Sequence, residues 1–339
     1  MKVVFRVDAS AEIGIGHLMR CLALSEELRR RGYICSFLLK TASPEVISQI
    51  KKYQWDSYFI SPTATRQQDR DSVIKYATDN EIDWVITDHY QIDSSYVKEI
   101  KHQGFHVMSI DDAAQMHYYS DIVVNQNIGA EKLTFSVEPY TALLLGPSYV
   151  MLRDELLIRR KKKDNSTVKK MLITLGGTDP DNFLLYILQT LDEVIKDTNI
   201  LAVIGPFNPN FMALQSYQEK TNMSLNLIQA PRNMTDIYQQ TDLAISAGGT
   251  SCYELAYYGI PNLIITVADN QLSLASELDR QHVGIYLGGK SEIKQECLKD
   301  KVKELLKNQS LRKQMSQNGQ MLIDGKGKQR IVDYMEKCI

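Results

Sequence analysis

Short runs of β-branched and other apolar residues alternate along the chain with longer stretches in which apolar residues recur every three or four positions. The first pattern predicts strands and the second predicts amphipathic helices. Residues 3–7 and 34–39 are predicted strands, and residues 17–31 between them are a predicted helix that ends before Gly32. The face of this helix that we expect to be buried comprises Leu18, Cys21, Leu22, Ser25 and Leu28.

The same alternation continues to the end of the chain and predicts parallel sheets covered by helices. In the first half, further strands are predicted at residues 83–87, 106–110 and 122–124, with helices at residues 70–78 and 94–103. In the second half, strands are predicted at residues 171–175, 200–204, 225–228, 243–246 and 262–266, with closing helices at residues 292–306 and 326–337.

A polar, basic stretch without periodicity separates the two halves at residues 159–167. We predict a linker or an exposed loop there, with a nucleic-acid-binding patch as the alternative. The chain then consists of two α/β domains, residues 1–158 and 168–339, each a Rossmann-like parallel sheet. In such sheets ligands bind beyond the carboxyl ends of the strands, so we expect the ligand in a cleft between the two domains.

Composition and charge argue against several classes of protein. The chain has 339 residues, of which 44% are hydrophobic and 24% are charged, and its formal net charge is −2. A charge near zero argues against a nucleic-acid partner, and no apolar run reaches the roughly 20 residues that span a bilayer. The N-terminus lacks the apolar core of a signal peptide, and the cysteines are scattered without a C-x-x-C pair, so we expect a cytoplasmic protein with reduced thiols.

A glycine-rich turn after the first strand carries the first candidate catalytic residue. Gly14 and Gly16 allow a tight turn and the close approach of a ligand, and His17 follows at the start of the helix. The positive end of the helix dipole disfavours imidazolium there, so a neutral His17 suits a general base; a histidine that only packs in the turn is the alternative. A dinucleotide fingerprint is excluded because Met19 stands where its third glycine belongs, and no P-loop occurs.

Polar residues also follow two later strands of the first domain and could line the same edge as His17. They are Asp88, His89 and Tyr90 after residues 83–87, and Asp111 and Asp112 after residues 106–110. Aspartate with histidine raises the hypothesis of a metal site, but no H-x-x-x-H, H-E-x-x-H or D-x-D spacing is present. We therefore expect no metal and no other cofactor, and isolated aspartates at strand ends are often helix caps.

Three turns of the second domain contain residue types that suit a nucleotide. Backbone N–H groups and hydroxyls at helix N-termini bind a diphosphate, and a carboxylate one turn further on can accept both hydroxyls of a ribose. One such turn is weak evidence, whereas three in one domain indicate a nucleotide. The turns contain Gly176, Gly177, Thr178 and Asp179; Gly249, Thr250 and Ser251 followed by Glu254; and Asn270 with Gln271.

Taken together, these motifs resemble a known family. Residues 5–10, 14–20, 88–90, 176–179 and 270–271 look like the UDP-sugar hydrolases of pseudaminic acid biosynthesis, which act on UDP-2,4-diacetamido-2,4,6-trideoxy-β-L-altropyranose. The related spore-coat polysaccharide proteins share the resemblance. More distantly, the second domain is similar to the peptidoglycan N-acetylglucosaminyltransferase. The resemblance implies a GT-B fold with UDP in the second domain and the sugar in the first.

The resemblance also implies roles for individual residues in an inverting, metal-independent hydrolysis. The catalytic base of the family falls on His17, its tyrosine near the sugar falls on Tyr90, and its Asn-Gln pair near the phosphates falls on Asn270 and Gln271. The residues expected to bind the UDP-sugar are Gly14, Gly16, Arg20, Asp88, Asp111, Gly177, Thr178, Asp179, Gly249, Thr250, Ser251, Glu254, Asn270 and Gln271.

Other functions stay open at this point. A GT-B glycosyltransferase would transfer a UDP-activated amino sugar to a saccharide or lipid acceptor, and a non-catalytic protein would bind the UDP-sugar without turnover. Hydrolysis without an acceptor separates the hydrolase from both. A pyrophosphatase would attack phosphorus and normally needs a divalent cation, for which the sequence offers no convincing site.

Overall fold

The structure is a computed structural model that describes residues 1–9, 15–41, 44–89, 91–157, 166–205, 208–231 and 233–338. The chain divides into two compact units, one made of Met1–Asp154 together with Gly325–Ile339 and the other of Glu155–Asp324. The sequence pattern placed everything after residue 167 in the second domain, whereas the structure assigns the last helix to the first unit. Most of the expected linker lies outside the described residues.

The first unit contains a parallel sheet with helices on both faces. Its strands are β1 (Lys2–Val7), β2 (Ile34–Leu39), β3 (Asp56–Phe59), β4 (Trp84–Asp88), β5 (His106–Ile110), β6 (His117–Tyr118), β7 (Ile122–Asn125), β8 (Ser136–Val137) and β9 (Ala142–Leu145). Its helices up to this point are α1 (Gly16–Arg30), α2 (Pro44–Lys52), α3 (Arg66–Asp79) and α4 (Ser94–His102). The apolar face predicted for α1 is confirmed, because all five of its residues are 0% exposed.

The strand order of this sheet determines where its ligand-binding edge lies. In the described part of the unit, seven strands pair in the order β3-β2-β1-β4-β5-β7-β9, and every neighbouring pair is parallel. The direction of winding reverses between β1 and β4. A crevice opens at such a reversal, beyond the carboxyl ends of the two strands. Val7 at the end of β1 is in register with Asp88 at the end of β4.

The second unit repeats this arrangement with fewer strands. Its strands are β10 (Lys170–Thr174), β11 (Asn199–Ile204), β12 (Leu225–Gln229), β13 (Leu243–Ala247), β14 (Asn262–Thr266) and β15 (Gly284–Gly289). Its helices are α5 (Phe183–Asp192), α6 (Phe211–Gln218), α7 (Thr235–Gln240), α8 (Ser251–Tyr258), α9 (Leu272–Arg280), α10 (Gln295–Lys307) and α11 (Gln309–Leu322). The described strands are parallel in the order β12-β11-β10-β13-β14-β15, so the reversal falls between β10 and β13.

The last helix, α12 (Gly327–Met335), packs in the core of the first unit. Ile331, Val332 and Met335 are all 0% exposed and lie in the same apolar cluster as the buried residues of α1. Lys328 is also 0% exposed, and its Nζ donates to Glu26 at 2.9 Å and to Asp154 at 2.7 Å. Apolar burial and paired charges thus explain why this helix belongs to the first unit. No helix within the described ranges is long and apolar enough to cross a membrane.

Candidate active site

His17 lies in the first turn of α1 and faces the end of β4. Its Nδ1 is 2.6 Å from Oδ1 of Asp88, the last residue of that strand. The sheet order explains this contact, because α1 follows β1 in sequence and β1 and β4 are neighbours. His17 is 8% exposed and Asp88 is 1% exposed, so solvent screens their interaction little.

The neighbours of His17 decide which ring nitrogen carries the proton. An ionised carboxylate only accepts hydrogen bonds, and a guanidinium only donates them. Nη2 of Arg20 is 3.0 Å from Nδ1 of His17, but Oδ1 of Asp88 is closer. An unprotonated Nδ1 would set its lone pair against a carboxylate oxygen, whereas a protonated Nδ1 makes a short charge-assisted hydrogen bond. The proton therefore belongs on Nδ1, which leaves the lone pair on Nε2.

Arg20, one turn further along α1, bridges two carboxylates. Its Nε donates to Oδ2 of Asp88 at 2.7 Å, and its Nη2 donates to Oδ1 at 2.6 Å. Its Nη1 lies 2.9 Å and 3.0 Å from the two carboxylate oxygens of Asp112. Arg20 is 6% exposed. The guanidinium that we expected to bind substrate is thus engaged by the protein itself.

Asp111 and Asp112 are adjacent in sequence, but their side chains have different hydrogen-bond partners. Oδ1 of Asp111 accepts the backbone N–H groups of Ala113 and Ala114, at 2.9 Å and 2.7 Å, and so closes its own turn. Asp112 faces Arg20 instead and also accepts a 2.8 Å hydrogen bond from Nδ2 of Asn127. From the sequence we expected Asp111 to contact the ligand and expected no role for Asn127. The only sequence signal for Asn127 is its position just after β7.

The electrostatics of the cluster keep Asp88 ionised despite its burial. Burial alone would raise the pKa of Asp88, but Arg20 and then His17 outweigh it and hold that pKa well below its usual value. Burial likewise opposes the charge of Arg20, and Asp112 and Asp88 together raise the pKa of Arg20 instead. Burial raises the pKa of the Cys21 thiol, whose Sγ donates to Oδ2 of Asp88 at 3.4 Å.

The residue after Asp88 belongs to a different buried cluster. Nδ1 of His89 accepts the backbone N–H of Gln91 at 3.0 Å, so the neutral ring carries its proton on Nε2. Burial and then the charge of Arg6 lower the pKa of His89 to about 4. Arg6 is itself paired with Asp8 and Asp69. Gly14 and Tyr90 lie outside the described residues, so their expected roles stay predictions.

In the second unit, the turn after β10 contains a carboxylate whose two oxygens already accept hydrogen bonds from the protein backbone. Oδ1 and Oδ2 of Asp179 accept the backbone N–H groups of Phe183 and Leu184, at 2.8 Å and 2.9 Å, at the start of α5. Asp179 is only 7% exposed and balances the positive end of that helix. It therefore has a capping role, and its negative charge disfavours a phosphate at this helix end. Gly177 and Thr178 precede it in the half-buried part of the turn.

The turn after β13 differs in that the N-cap residue of the helix it opens does not cap that helix with its own side chain. Thr250 occupies the N-cap position of α8 without a side-chain hydrogen bond to the helix. A Cβ atom on Gly249 would meet no described heavy atom within 4 Å, so a ligand has room to reach this backbone. Gly248 touches the next turn: a Cβ there would lie 3.1 Å from Cβ of Gln271. The structure thus brings together the second and third of the predicted turns.

Glu254 lies one turn into α8 and is half-buried. Its Oε2 accepts a hydrogen bond of 2.6 Å from the hydroxyl of Tyr238, which fixes the direction of the carboxylate. Oε1 of Gln271 accepts the backbone N–H of Val267 at 2.9 Å, while Asn270 is exposed. Across the described residues of both units, no group of three His, Cys, Asp or Glu side chains is placed to hold a metal ion.

Comparisons with known proteins identify the class of fold. The glycosyltransferase family 28 C-terminal domain matches residues 171–333. MurG of Acinetobacter baumannii superposes with a TM-score of 0.76 at 16% identity, over 99% of this chain and 100% of that chain. The chain therefore has the GT-B fold, as the sequence predicted, with two Rossmann-like units of parallel strands.

Within that class, the homologues of the chain include two named proteins. It is 26% identical over 344 residues to the spore coat polysaccharide biosynthesis protein SpsG of Bacillus subtilis (strain 168), an alignment that covers 99% of this chain and 98% of SpsG. It is also 26% identical over 285 residues to the UDP-2,4-diacetamido-2,4,6-trideoxy-β-L-altropyranose hydrolase of Campylobacter jejuni, covering 83% of this chain and 97% of that enzyme. The resemblance found in the sequence is confirmed.

Proposed function

We propose that the chain is an enzyme that hydrolyses the anomeric C–O bond of a UDP-linked diacetamido-trideoxy sugar and releases UDP and the free sugar. The substrate class is taken from the homologous hydrolase of Campylobacter jejuni. The alignment with this chain covers 97% of that hydrolase. The observation that carries the reaction is the 2.6 Å contact between Nδ1 of His17 and Oδ1 of Asp88. It gives the histidine the tautomer that a general base needs.

In the proposed reaction, Nε2 of His17 removes a proton from a water molecule as that water attacks the anomeric carbon. The new C–O bond forms on the face opposite UDP, the old anomeric C–O bond breaks, and its electron pair leaves with the diphosphate. The configuration at the anomeric carbon is therefore inverted. Asp88 stabilises the imidazolium because the pair passes from a net negative charge to neutrality.

The second unit is proposed to bind the UDP part. The N-terminus of α8 is the better diphosphate site of the two glycine-rich turns, because Asp179 already balances the N-terminus of α5. Backbone N–H groups near Gly249, with the hydroxyls of Thr250 and Ser251, stabilise the leaving diphosphate without a metal ion. Glu254 is proposed to accept the ribose hydroxyls.

The biological setting is also a proposal. The homologues suggest that the product sugar enters a pseudaminic acid or related nonulosonate glycan, or a spore-coat polysaccharide. A cytoplasmic enzyme is consistent with cysteines that are all free thiols.

A glycosyltransferase is the second candidate, and one finding favours it. Residues 171–333 match a glycosyltransferase domain. In that case a hydroxyl of a saccharide or lipid acceptor would replace water, and His17 would deprotonate the acceptor. Incubation with a panel of UDP-amino sugars without any acceptor separates the two functions: a hydrolase releases UDP, whereas a transferase requires the acceptor.

The decisive experiment identifies which bond breaks. The reaction is run in ¹⁸O-labelled water, and the mass of the nucleotide product is measured by mass spectrometry. The anomer of the released sugar is observed by NMR before mutarotation. We expect unlabelled UDP and a sugar labelled at its C1 hydroxyl, with inverted configuration. Release of UMP, or label in the nucleotide, would mean attack at phosphorus and would overturn the proposal.

A further inference from the structure

The charged cluster around His17 contains more residues than the proposed base step uses. A continuous series of hydrogen bonds runs from Asn127 through Asp112 and Arg20 to Asp88 and His17. These residues come from the ends of β4, β5 and β7 and from the first turns of α1, and all belong to the first unit. Only His17 and Asp88 have a part in the chemistry proposed above.

We propose that Arg20 and Asp112 are positioning residues for this base. Asp112 holds the guanidinium of Arg20, and Arg20 holds Asp88 in the orientation that fixes the Nδ1–H tautomer of His17. The inference rests on the proposed function, in which Nε2 of His17 accepts a proton.

The donors of Arg20 support a positioning role over a substrate contact. A guanidinium has five N–H donors in a rigid plane. Those on Nε and Nη2 form a two-pronged contact with Asp88, and Nη1 is directed at both oxygens of Asp112. A planar fork that binds one carboxylate on each side fixes the orientation of both. Little of its hydrogen-bonding capacity is left for a ligand.

Among the described residues, Asp112 is the only carboxylate that Nη1 of Arg20 contacts. Its side chain is 26% exposed, and Asn127 anchors it from the other side by the 2.8 Å hydrogen bond to Oδ1. Removal of the Asp112 charge leaves the Nη1 side of Arg20 without its counter-ion. We then expect the guanidinium to rotate, so that Asp88 no longer has a single orientation toward His17.

Asp112 and Arg20 carry opposite charges, so removal of each one should have an opposite effect on the charge state of His17. Within the described residues, the charged groups that face His17 are Asp88 from β4 and Arg20 from α1, with Asp112 acting through Arg20, while Cys21 of α1 is a neutral thiol. Loss of the negative charge of Asp112 disfavours the imidazolium form of His17. Loss of the positive charge of Arg20 favours it. A variant that lacks the Asp112 charge and a variant that lacks the Arg20 charge must therefore displace the acid limb of the pH–turnover profile in opposite directions. The acid limb is the low-pH range in which turnover rises as the base loses its proton.

The first test measures kcat and KM against pH for Asp112→Asn, Arg20→Met and Arg20→Lys. We expect each to lower kcat about 10-fold or more, with KM changed less than about twofold, because substrate binding is not affected. The acid limb moves to lower pH in Asp112→Asn and to higher pH in Arg20→Met, while Arg20→Lys keeps the wild-type limb because the charge is retained. If Arg20→Met does not fold, the other two variants decide.

Asp121→Asn is the matched control. Asp121 also makes a two-pronged ion pair, with Nζ of Lys101 at 2.8 Å from both oxygens, but it precedes β7 at the opposite end of the strands. Its loss should lower stability without moving kcat or the acid limb. An equal effect in Asp121→Asn would mean general destabilisation and would overturn the positioning role.

The second test does not depend on catalysis. ¹⁵N NMR of the histidine-labelled protein without substrate reports which nitrogen of His17 is protonated. We expect a single Nδ1–H tautomer in the wild type and a mixture with the Nε2–H tautomer in Asp112→Asn. An unchanged tautomer together with an unchanged acid limb would refute the proposal. If the wild type released UDP from no UDP-sugar, the proposed function would fail, and the tautomer would still decide this inference.

Discussion

A Cβ atom on Gly205 would lie 2.3 Å from the carbonyl oxygen of Gly176. Gly205 follows β11 and Gly176 follows β10, its neighbour in the sheet of the second unit. The first glycine-rich turn therefore rests on a residue that has no room for a side chain. Gly176 itself has a φ of +93°, which glycine adopts without strain.

This contact predicts that Gly205→Ala lowers the free energy of unfolding by about 1–3 kcal/mol, because the backbone of the turn has to move. Urea denaturation of the purified variant measures the change. Gly249→Ala is the matched control, since open space surrounds its Cβ position, and we expect its unfolding free energy to stay within about 0.5 kcal/mol of the wild type. Equal stability of both variants would contradict the prediction.

His17→Asn tests the base. We expect turnover to fall by roughly 10²–10⁴-fold, the usual contribution of a general base, with UDP affinity unchanged because the nucleotide is proposed to bind the second unit. Steady-state kinetics and calorimetry with UDP measure the two quantities. If the variant keeps more than about a tenth of wild-type turnover, His17 is not the base.

Glu254→Ala tests the ribose contact. Loss of hydrogen bonds to a charged carboxylate should weaken UDP binding by about 1.5–3 kcal/mol, measured by calorimetry. The loss should be the same for uridine, because the contact is to the ribose and not to the phosphates. Tyr238→Phe, which removes only the hydroxyl that orients Glu254, should have a smaller effect. A loss seen with UDP but not with uridine would move Glu254 to the diphosphate.

The lowered pKa of His89 predicts how the stability of the folded protein depends on pH. Burial lowers the pKa of His89 from 6.5 to about 4, so between these values the unfolded chain binds a proton that the folded chain does not. Stability therefore falls as pH falls through this window, by about 2 kcal/mol between about pH 7 and about pH 5. His89→Asn keeps an acceptor for Gln91 and should remove that part of the pH dependence.

Urea denaturation at the two pH values measures this difference. His102→Asn is the control, because His102 is exposed at the end of α4 and its replacement should leave the pH dependence as in the wild type. A His89→Asn variant with the full wild-type pH dependence would show that other groups cause it.

Chelation tests the absence of a metal from the reaction. The carboxylates of Asp88 and Asp112 are both engaged by the guanidinium of Arg20, which repels a divalent cation. We expect UDP release to be unchanged after treatment with EDTA and gel filtration. Activity that is lost on chelation and restored by Mg²⁺ or Mn²⁺ would instead indicate a cation at the diphosphate.

The central strands were predictable, as was the edge strand Leu225–Gln229 of the second sheet, whereas both edge strands of the first sheet were not. The predicted bounds of Ile34–Leu39, His106–Ile110 and Asn262–Thr266 are confirmed, because strands buried on both faces are continuous apolar runs. The strands Asp56–Phe59 and Ala142–Leu145 at the two edges of the first sheet were not predicted. Most side chains of Asp56–Phe59 are exposed, so this strand lacks an apolar run.

The sequence predicted the proximity of the site residues better than their roles. His17 and Asp88 follow neighbouring strands of a doubly wound sheet, and topology alone brings them to one edge. Local turns decide the rest. Whether Asp111 or Asp112 faces Arg20 depends on which carboxylate closes the turn onto Ala113, and a linear sequence does not reveal this.

The return of α12 to the first unit affects the order in which the chain folds during synthesis. Domains generally fold as they emerge, the N-terminal one first. Here the core around α1 includes Ile331 and Met335, and the Lys328 ammonium neutralises Glu26, yet these residues are translated only after the whole second unit. The whole of the second compact unit is therefore synthesised while the unit that contains His17 still lacks α12. The core around α1 is then complete only after α12 has been synthesised.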